Sequence, residues 1–225
     1  MAVRARDGDQ ASVKLALVVL VTALLGACGS KPPAPDWQVN AHGALERFEQ
    51  AWLAGQTRAA DAEFARARRE LAATAQASLV ARAELTRCAL QVASLVFEPC
   101  AGFEALRADV GAPERAYADY LQGARVSPEL LPSQHRSVAG GAADAKAVEA
   151  MADPLARLVA AGVLMRSGGG SPQLMQLAAD TASRQGWRRP LLAWLGAQLQ
   201  LAEQRGAQEE AALLRRRIAL ASAPS

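Results

Sequence analysis

The side chains able to do chemistry are few, and most stand alone. The chain has two histidines, His42 and His135, and three cysteines, Cys28, Cys88 and Cys100. Neither histidine has a cysteine or histidine companion at the short spacing of a closed zinc site, so the pattern predicts no metal. No serine sits in the Gly-x-Ser-x-Gly elbow of a hydrolase nucleophile, and no Gly-x-Gly-x-x-Gly is present. Gly168-Gly169-Gly170-Ser171 leads into a helix start that could cup an anion. It lacks the lysine of a phosphate loop and reads as a flexible connector. A glycosidase needs two carboxylates across a cleft. Glu46, Glu49, Asp61 and Glu63 are available, but they fall on solvated faces and no pair is singled out. The pattern therefore predicts no catalytic residue and no cofactor. The basic clusters at Arg66, Arg68 and Arg69 and at Arg215, Arg216 and Arg217 read as solvated helix faces. Trp187-Arg188-Arg189 combines the residue types that dominate interface hot spots and is a candidate partner-binding site. Its plainer reading is a tryptophan filling a turn between two helices.

Cys28 has a different setting. Arg4, Arg6 and Lys14 precede an uncharged run from Leu15 to Leu25, and the next charge is Lys31. A helix across a bilayer needs about 20 apolar residues; this run is shorter and ends in small residues, the layout of a secretory signal peptide. Leu25-Gly26-Ala27-Cys28 closes it and resembles the lipobox of bacterial lipoproteins. The resemblance covers only the leader. It implies that Cys28 carries a thioether-linked diacylglycerol and, after cleavage behind Ala27, an acyl chain on its new amine. These covalent lipids would be the only non-protein groups. They would tie the chain to a membrane, and two or more acyl chains hold stably where one does not. Gly29 in the next position resembles an outer-membrane sorting signal, which places the domain at the outer membrane facing the periplasm. An ordinary secretory leader with a chance cysteine, or a short membrane anchor, are the alternatives.

The resemblance also bears on the remaining thiols. In an exported protein two thiols are commonly paired, so Cys88–Cys100 is the expected disulfide, against the alternative of two buried free thiols. On one straight helix they would stand about 18 Å apart, far beyond the roughly 7 Å between Cα atoms that a disulfide allows. Pairing therefore requires the helix to end before Phe97 or the chain to fold back at Pro99.

These residues must be positioned by helices. Of the 225 residues 51% are hydrophobic but only 4% aromatic, alanine supplies much of the apolar share, and Ile218 is the single isoleucine. That composition favours helix over strand. The formal net charge is +3, too near balance to argue for nucleic acid. After the leader, 1–27, the prolines at 32, 33 and 35 predict an extended tether over 28–40. Periodicity then predicts helices near 41–54, 57–75, 76–97, 102–110 and 113–122. Little periodicity marks 126–141, expected to be a loop or lobe boundary between N-terminal hairpins (41–125) and C-terminal hairpins (142–222). Asp153-Pro154 and Ser171-Pro172 pair an N-cap residue with proline at the first helical position and predict helices over 154–166 and 172–185. Two more are expected near 190–205 and 207–221.

Gly55, Ala60, Phe64 and Ala67 recur in spacing as Gly111, Ala116, Tyr120 and Gly123, and in part as Gly206, Ala211, Arg215 and Ile218. A glycine at the turn, alanine where helices touch and an aromatic beyond resemble half of a tetratricopeptide repeat, although the copies miss that repeat's ~34-residue period. The expected fold is all-α, with stacked antiparallel helical hairpins of α-solenoid or tetratricopeptide-like kind. With the anchor, this predicts a non-catalytic scaffold or adaptor for an envelope, pilus or secretion component. The alternative is an enzyme or enzyme regulator acting on cell-wall glycans.

Overall fold

Amphipathic stripes, alanine-rich contacts and capped turns build an all-helical fold. The computed structural model describes residues 33–139 and 144–223, and Asp36–Ser225 form one compact unit. The leader, with Leu25, Gly26, Ala27 and Cys28, lies outside the described residues. In chain order the α-helices are α1 (Asp36–Leu53), α2 (Thr57–Ala72), α3 (Ala77–Ala93), α4 (Ala101–Glu104), α5 (Ala112–Leu121), α6 (Ala145–Glu149), α7 (Pro154–Arg166), α8 (Pro172–Gln185), α9 (Arg188–Gln204) and α10 (Gln208–Ser222). Short 3-10 turns occupy Arg107–Asp109, Pro128–Leu130 and Ser133–Val138. No strand occurs among the described residues, and no helix there is long and apolar enough to cross a membrane.

Helices α1 and α2 form the first hairpin, and α8, α9 and α10 pack in succession at the other end. Gly55 closes α1 with φ of +82°. The following Gln56 N–H returns to Ala51 O at 2.8 Å, the six-to-one bond of a Schellman ending. Gly206 repeats this between α9 and α10 with φ of +69° and Ala207 N–H on Ala202 O at 2.9 Å. Gly111 does not follow suit: its φ is −74°, and it precedes α5 in extended conformation. The spacing match thus joins two like turns and one unlike turn.

Helix α3 is the centre. It is buried on most of its circumference and touches α1, α2, α5 and α7, where solenoid repeats meet only their neighbours. Helix α9 also meets α1. One hydrophobic core runs from Ala81 to Leu214 and a second fills the space under Phe48, Trp52 and Phe64; Leu106, Leu155 and Trp187 pack against both. The expected boundary at 126–141 is therefore not a lobe boundary. Leu131, His135 and Val138 of that segment are buried, because its two 3-10 turns fold onto α5 and α7. Residues 36–40, expected to be extended, are helical instead: α1 begins at Asp36, whose carboxylate lies in the first helical turn, where the helix dipole favours it.

The end of α3 differs from expectation as well. Helix periodicity continues to Phe97, but α3 stops at Ala93 and Leu95 takes a φ of 57°. Two indoles hold this end. Trp52 Nε1 donates at 3.1 Å to Leu90 O, which also accepts from the Ser94 hydroxyl at 2.9 Å, and Trp194 Nε1 donates to Ala93 O at 3.0 Å, meeting carbonyls that a helix C-terminus leaves without backbone partners. The early stop brings the Cys88 and Cys100 Cα atoms to 5.9 Å, and the two form a disulfide.

The α3–α7 crossing needs a glycine. A Cβ on Gly162 would stand 2.2 Å from Val92 O and 2.8 Å from Val92 Cγ1. Helix propensity alone favours alanine over glycine by about 1 kcal/mol, but overpacking against backbone costs about 1–3 kcal/mol. Gly162→Ala is expected to destabilise by about 2 kcal/mol in urea melts. Gly196→Ala, where nothing lies within 4 Å of the added Cβ, should stabilise by up to about 1 kcal/mol. Equal signs for the two would refute this account of the crossing.

Candidate functional site

The site grows from the segment whose burial was not expected. Asp153 and Pro154 start α7: Asp153 Oδ1 accepts the Ala156 N–H at 2.6 Å. That helix presents Leu155 and Val159 toward Leu85 and Ala89 of α3, while α5 contributes Glu114 and Tyr117 and the 3-10 turns contribute Leu131, His135 and Arg136. Between them lies a half-open cavity of about 590 Å³, inside the range of small-molecule sites. A larger groove of about 1150 Å³ beside α6, α8 and α9 is lined by four basic and four acidic side chains. Its alternating charges give no directional preference, so the smaller cavity is the stronger candidate.

His135 is 2% exposed and sits in an aromatic corner, its ring centroid 5.3 Å from Tyr120 and 5.6 Å from Tyr117. The Tyr120 hydroxyl is 3.5 Å from His135 Nδ1, a long hydrogen bond. Burial pulls the imidazole pKa down to about 4, with the Asp153 charge opposing. At neutral pH the ring is uncharged. Burial also pushes the Tyr117 and Tyr120 hydroxyls well above their ordinary values, helped at Tyr117 by the Asp153 charge.

Glu114 is buried and accepts from Arg82 Nε at 2.9 Å. Burial alone would raise its pKa, but the Arg82 hydrogen bond, backbone N–H groups and the Arg82 charge together hold it below the usual carboxylate range. Glu129 is lowered first by the Ser127 hydroxyl. A second buried acid, Glu84, lies between Arg68 (Nε 2.9 Å) and Arg87 (3.3 Å). A Cβ on Gly102 would stand 2.2 Å from Glu84 Oε2, so α4 packs closely over Glu84, whose ion pairs run to Arg68 of α2 and Arg87 of α3.

The structure places Trp187, Arg188 and Arg189 along the seams between α9 and its neighbours, half-buried. Arg189 lies 4.1 Å over the Trp52 ring, a desolvated cation–π contact. Its Nε donates to Trp52 O at 2.8 Å and its Nη2 to Thr57 Oγ1 at 2.7 Å. Arg188 reaches Ser222 O at 2.9 Å, and Trp187 packs against both cores. These side chains join α9 to α1 and α10 and are half-buried there. Among the carboxylates weighed for glycan chemistry, Glu63 pairs with Arg47 at 2.9 Å and Glu46 faces His42 at 3.3 Å. No two of them converge on the cavity.

Sequence reasoning missed the corner made by Tyr117, Tyr120 and His135. The tyrosines' spacing of three on a helix places them on one face, but nothing in the chain order shows that the following loop folds back with its lone histidine. No protein family, curated protein or solved structure was found to match this chain.

Proposed function

We propose that this chain is an envelope lipoprotein whose helical unit serves as a non-catalytic adaptor held close to a membrane surface. The observation that carries the reading is the distance along the chain between the lipobox and the first helix. Cys28 precedes Asp36, where α1 begins, by eight links, which reach roughly 30 Å when fully extended. A diacylglycerol on Cys28 would thus confine the unit to a thin layer and raise its effective concentration toward partners in that layer. The Cys88–Cys100 disulfide suits an oxidising compartment outside the cytosol, and hairpin stacks offer broad binding surfaces.

Cys28→Ala is expected to move the protein from the membrane to the aqueous fraction, by at least about tenfold, because all of the anchoring free energy resides in the acyl chains. Mass spectrometry of the wild-type chain should find a lipidated N-terminus at residue 28. A chain still beginning at Met1, or a bare thiol at Cys28, would refute the anchor. The adaptor role is tested separately by photo-crosslinkers at Val39 and Leu213, both exposed. Crosslinks that are specific and lost in Cys28→Ala support it, and their absence from intact cells counts against it.

A further inference from the structure

We infer that the outer face of α10 docks on an anionic lipid membrane, seated by Leu213 and Leu220 and held by Arg216 and Arg217. This goes beyond the adaptor reading and does not depend on a lipid at Cys28. Helix α10 packs chiefly on α9 and buries only Ala211 and Leu214. The outermost helix of such a stack ordinarily turns a polar face to water. Here Leu213 is 50% exposed and Leu220 79%, the most exposed large hydrophobic side chain among the described residues. Leu213, Arg216 and Leu220 follow one another at spacings of three and four, so they share a face, and Arg217 flanks it. Arg215 is engaged by Glu203, whereas Arg216 and Arg217 make no ion pair among the described residues. Arg188 adds a guanidinium at this end, donating to Ser222 O at 2.9 Å. The acids stand at the other end: Glu209 and Glu210 lie in the first turn, Glu210 is held by Arg205 at 3.1 Å, and the chain has no acidic side chain beyond it.

This charge selects an anionic surface, and each arginine brought close to anionic lipid is worth about a fivefold gain in affinity. The leucines enter the boundary between headgroups and acyl chains, while arginine stems lie along it and their guanidinium groups reach the phosphates. A protein partner fits this face poorly. A stable protein interface takes roughly 800 Å² from each side around a packed core. Two leucines on a convex helix, divided by an arginine, supply no such core, and α10 has no aromatic residue. A second copy seated symmetrically would set Arg216 and Arg217 against their own counterparts, and like charges suppress such pairing. A fluid lipid surface requires no matching shape.

The probe is vesicles of phosphatidylglycerol mixed with phosphatidylcholine, with phosphatidylcholine alone as the neutral counterpart, added to the full-length chain carrying Cys28→Ala. Cys88 and Cys100 are joined, so a nitroxide goes to one introduced cysteine. Ala219→Cys places it beside Leu220 and Ser133→Cys in a 3-10 turn, both exposed positions. Collision with oxygen, compared with a water-soluble nickel complex, reports lipid or water around the label. On anionic vesicles the ratio at 219 should rise at least about threefold, as for a label in the membrane interface. At 133 it should stay as in buffer, and neutral vesicles should change neither. Every chain carries the same leader, so a chain held by its leader alone leaves position 219 in water. Arg216→Gln with Arg217→Gln should raise the lipid concentration for half of the change by at least about tenfold. Arg216→Lys with Arg217→Lys should restore most of it, because the charge is kept; circular dichroism should be unchanged in both. Water at 219 on anionic vesicles, an equal change at 133, an equal response to neutral vesicles, or indifference to the glutamine pair would each overturn the assignment. So would a specific photo-crosslink from Leu213 to a protein in intact cells, which would give the face to a protein partner.

Discussion

Trp194→Ala is expected to lower the stability of this chain by about 4 kcal/mol, the range for a fully buried tryptophan. For a chain of this size that corresponds to a fall in Tm of roughly 10 °C. Trp194 is 0% exposed, and two losses combine when it is truncated. The first is volume, since the indole fills the space where α9 faces the end of α3. The second is a hydrogen bond. Ala93 O, accepting from Trp194 Nε1 at 3.0 Å, is a C-terminal carbonyl of α3, and without the indole it lacks a donor in a place water reaches poorly. Trp194→Phe separates the two, keeping most of the bulk and removing the N–H; it should cost about 1–2 kcal/mol. Far-UV circular dichroism in a urea series measures both, since the loss of a tryptophan would distort a fluorescence readout. A cost for Trp194→Ala below about 1 kcal/mol would mean that α3 does not depend on α9 for its C-terminal closure.

That end of α3 shows where sequence reading stops. The starts of α7 and α8 were legible because their determinants are local: Asp153 and Ser171 each accept the N–H three residues ahead, and a proline follows each. Both helices span the expected residues. The end of α3 combines a local closure, Val96 N–H on Gln91 O at 2.9 Å with Leu95 at a φ of 57°, with donors 38 and 101 residues away on Trp52 and Trp194. No local pattern announces the distant donors, the left-handed closing residue is Leu95 where a glycine would be the usual signal, and the apolar period of Val92 and Leu95 continues past the true end. The disulfide sits between these cases. Its pairing could be expected from the leader, and its geometric condition, an early helix end, could be stated but not located.

The same contrast governs the candidate site. Trp187, Arg188 and Arg189 attract attention in sequence because tryptophan and arginine are costly and specific residues. The structure uses that specificity internally, laying Arg189 over Trp52. His135 carries no sequence signal at all, since one histidine between prolines and polar residues looks like surface. It becomes distinctive only when Leu131 and Val138, its apolar neighbours in the same segment, are found buried and draw the intervening histidine beneath the surface with them. Composition legible as all-α thus carried the fold class, while the cavity depended on long-range burial.

That burial has a consequence in acid. Lowering the pH from about 6.5 to about 4 is expected to remove roughly 3 kcal/mol of stability through His135 alone. The folded ring titrates at about 4, and the unfolded one at about 6.5. Between these values the unfolded chain binds a proton that the folded chain does not, so stability falls as pH falls, by about 1.4 kcal/mol per unit. The contribution is fully present above the unfolded value and exhausted below the folded one. Other groups overlap only part of this window. Glu63, Glu104, Glu114 and Glu129 have lowered folded values and lose their share as pH drops below about 4.5, in the same direction. Glu49, raised first by burial, acts the opposite way. The tyrosines at 117 and 120 pack against the His135 ring, and the charged groups around its cavity are Asp153, whose charge opposes the shift, with Glu114, Glu129, Arg82 and Arg136. His135→Gln isolates the histidine, because the acids are common to both chains. Its stability difference from wild type should change across the window by roughly 3 kcal/mol, with the wild type losing more toward acid. Parallel profiles would mean that the folded imidazole protonates as freely as the unfolded one, and that burial does not hold His135 neutral.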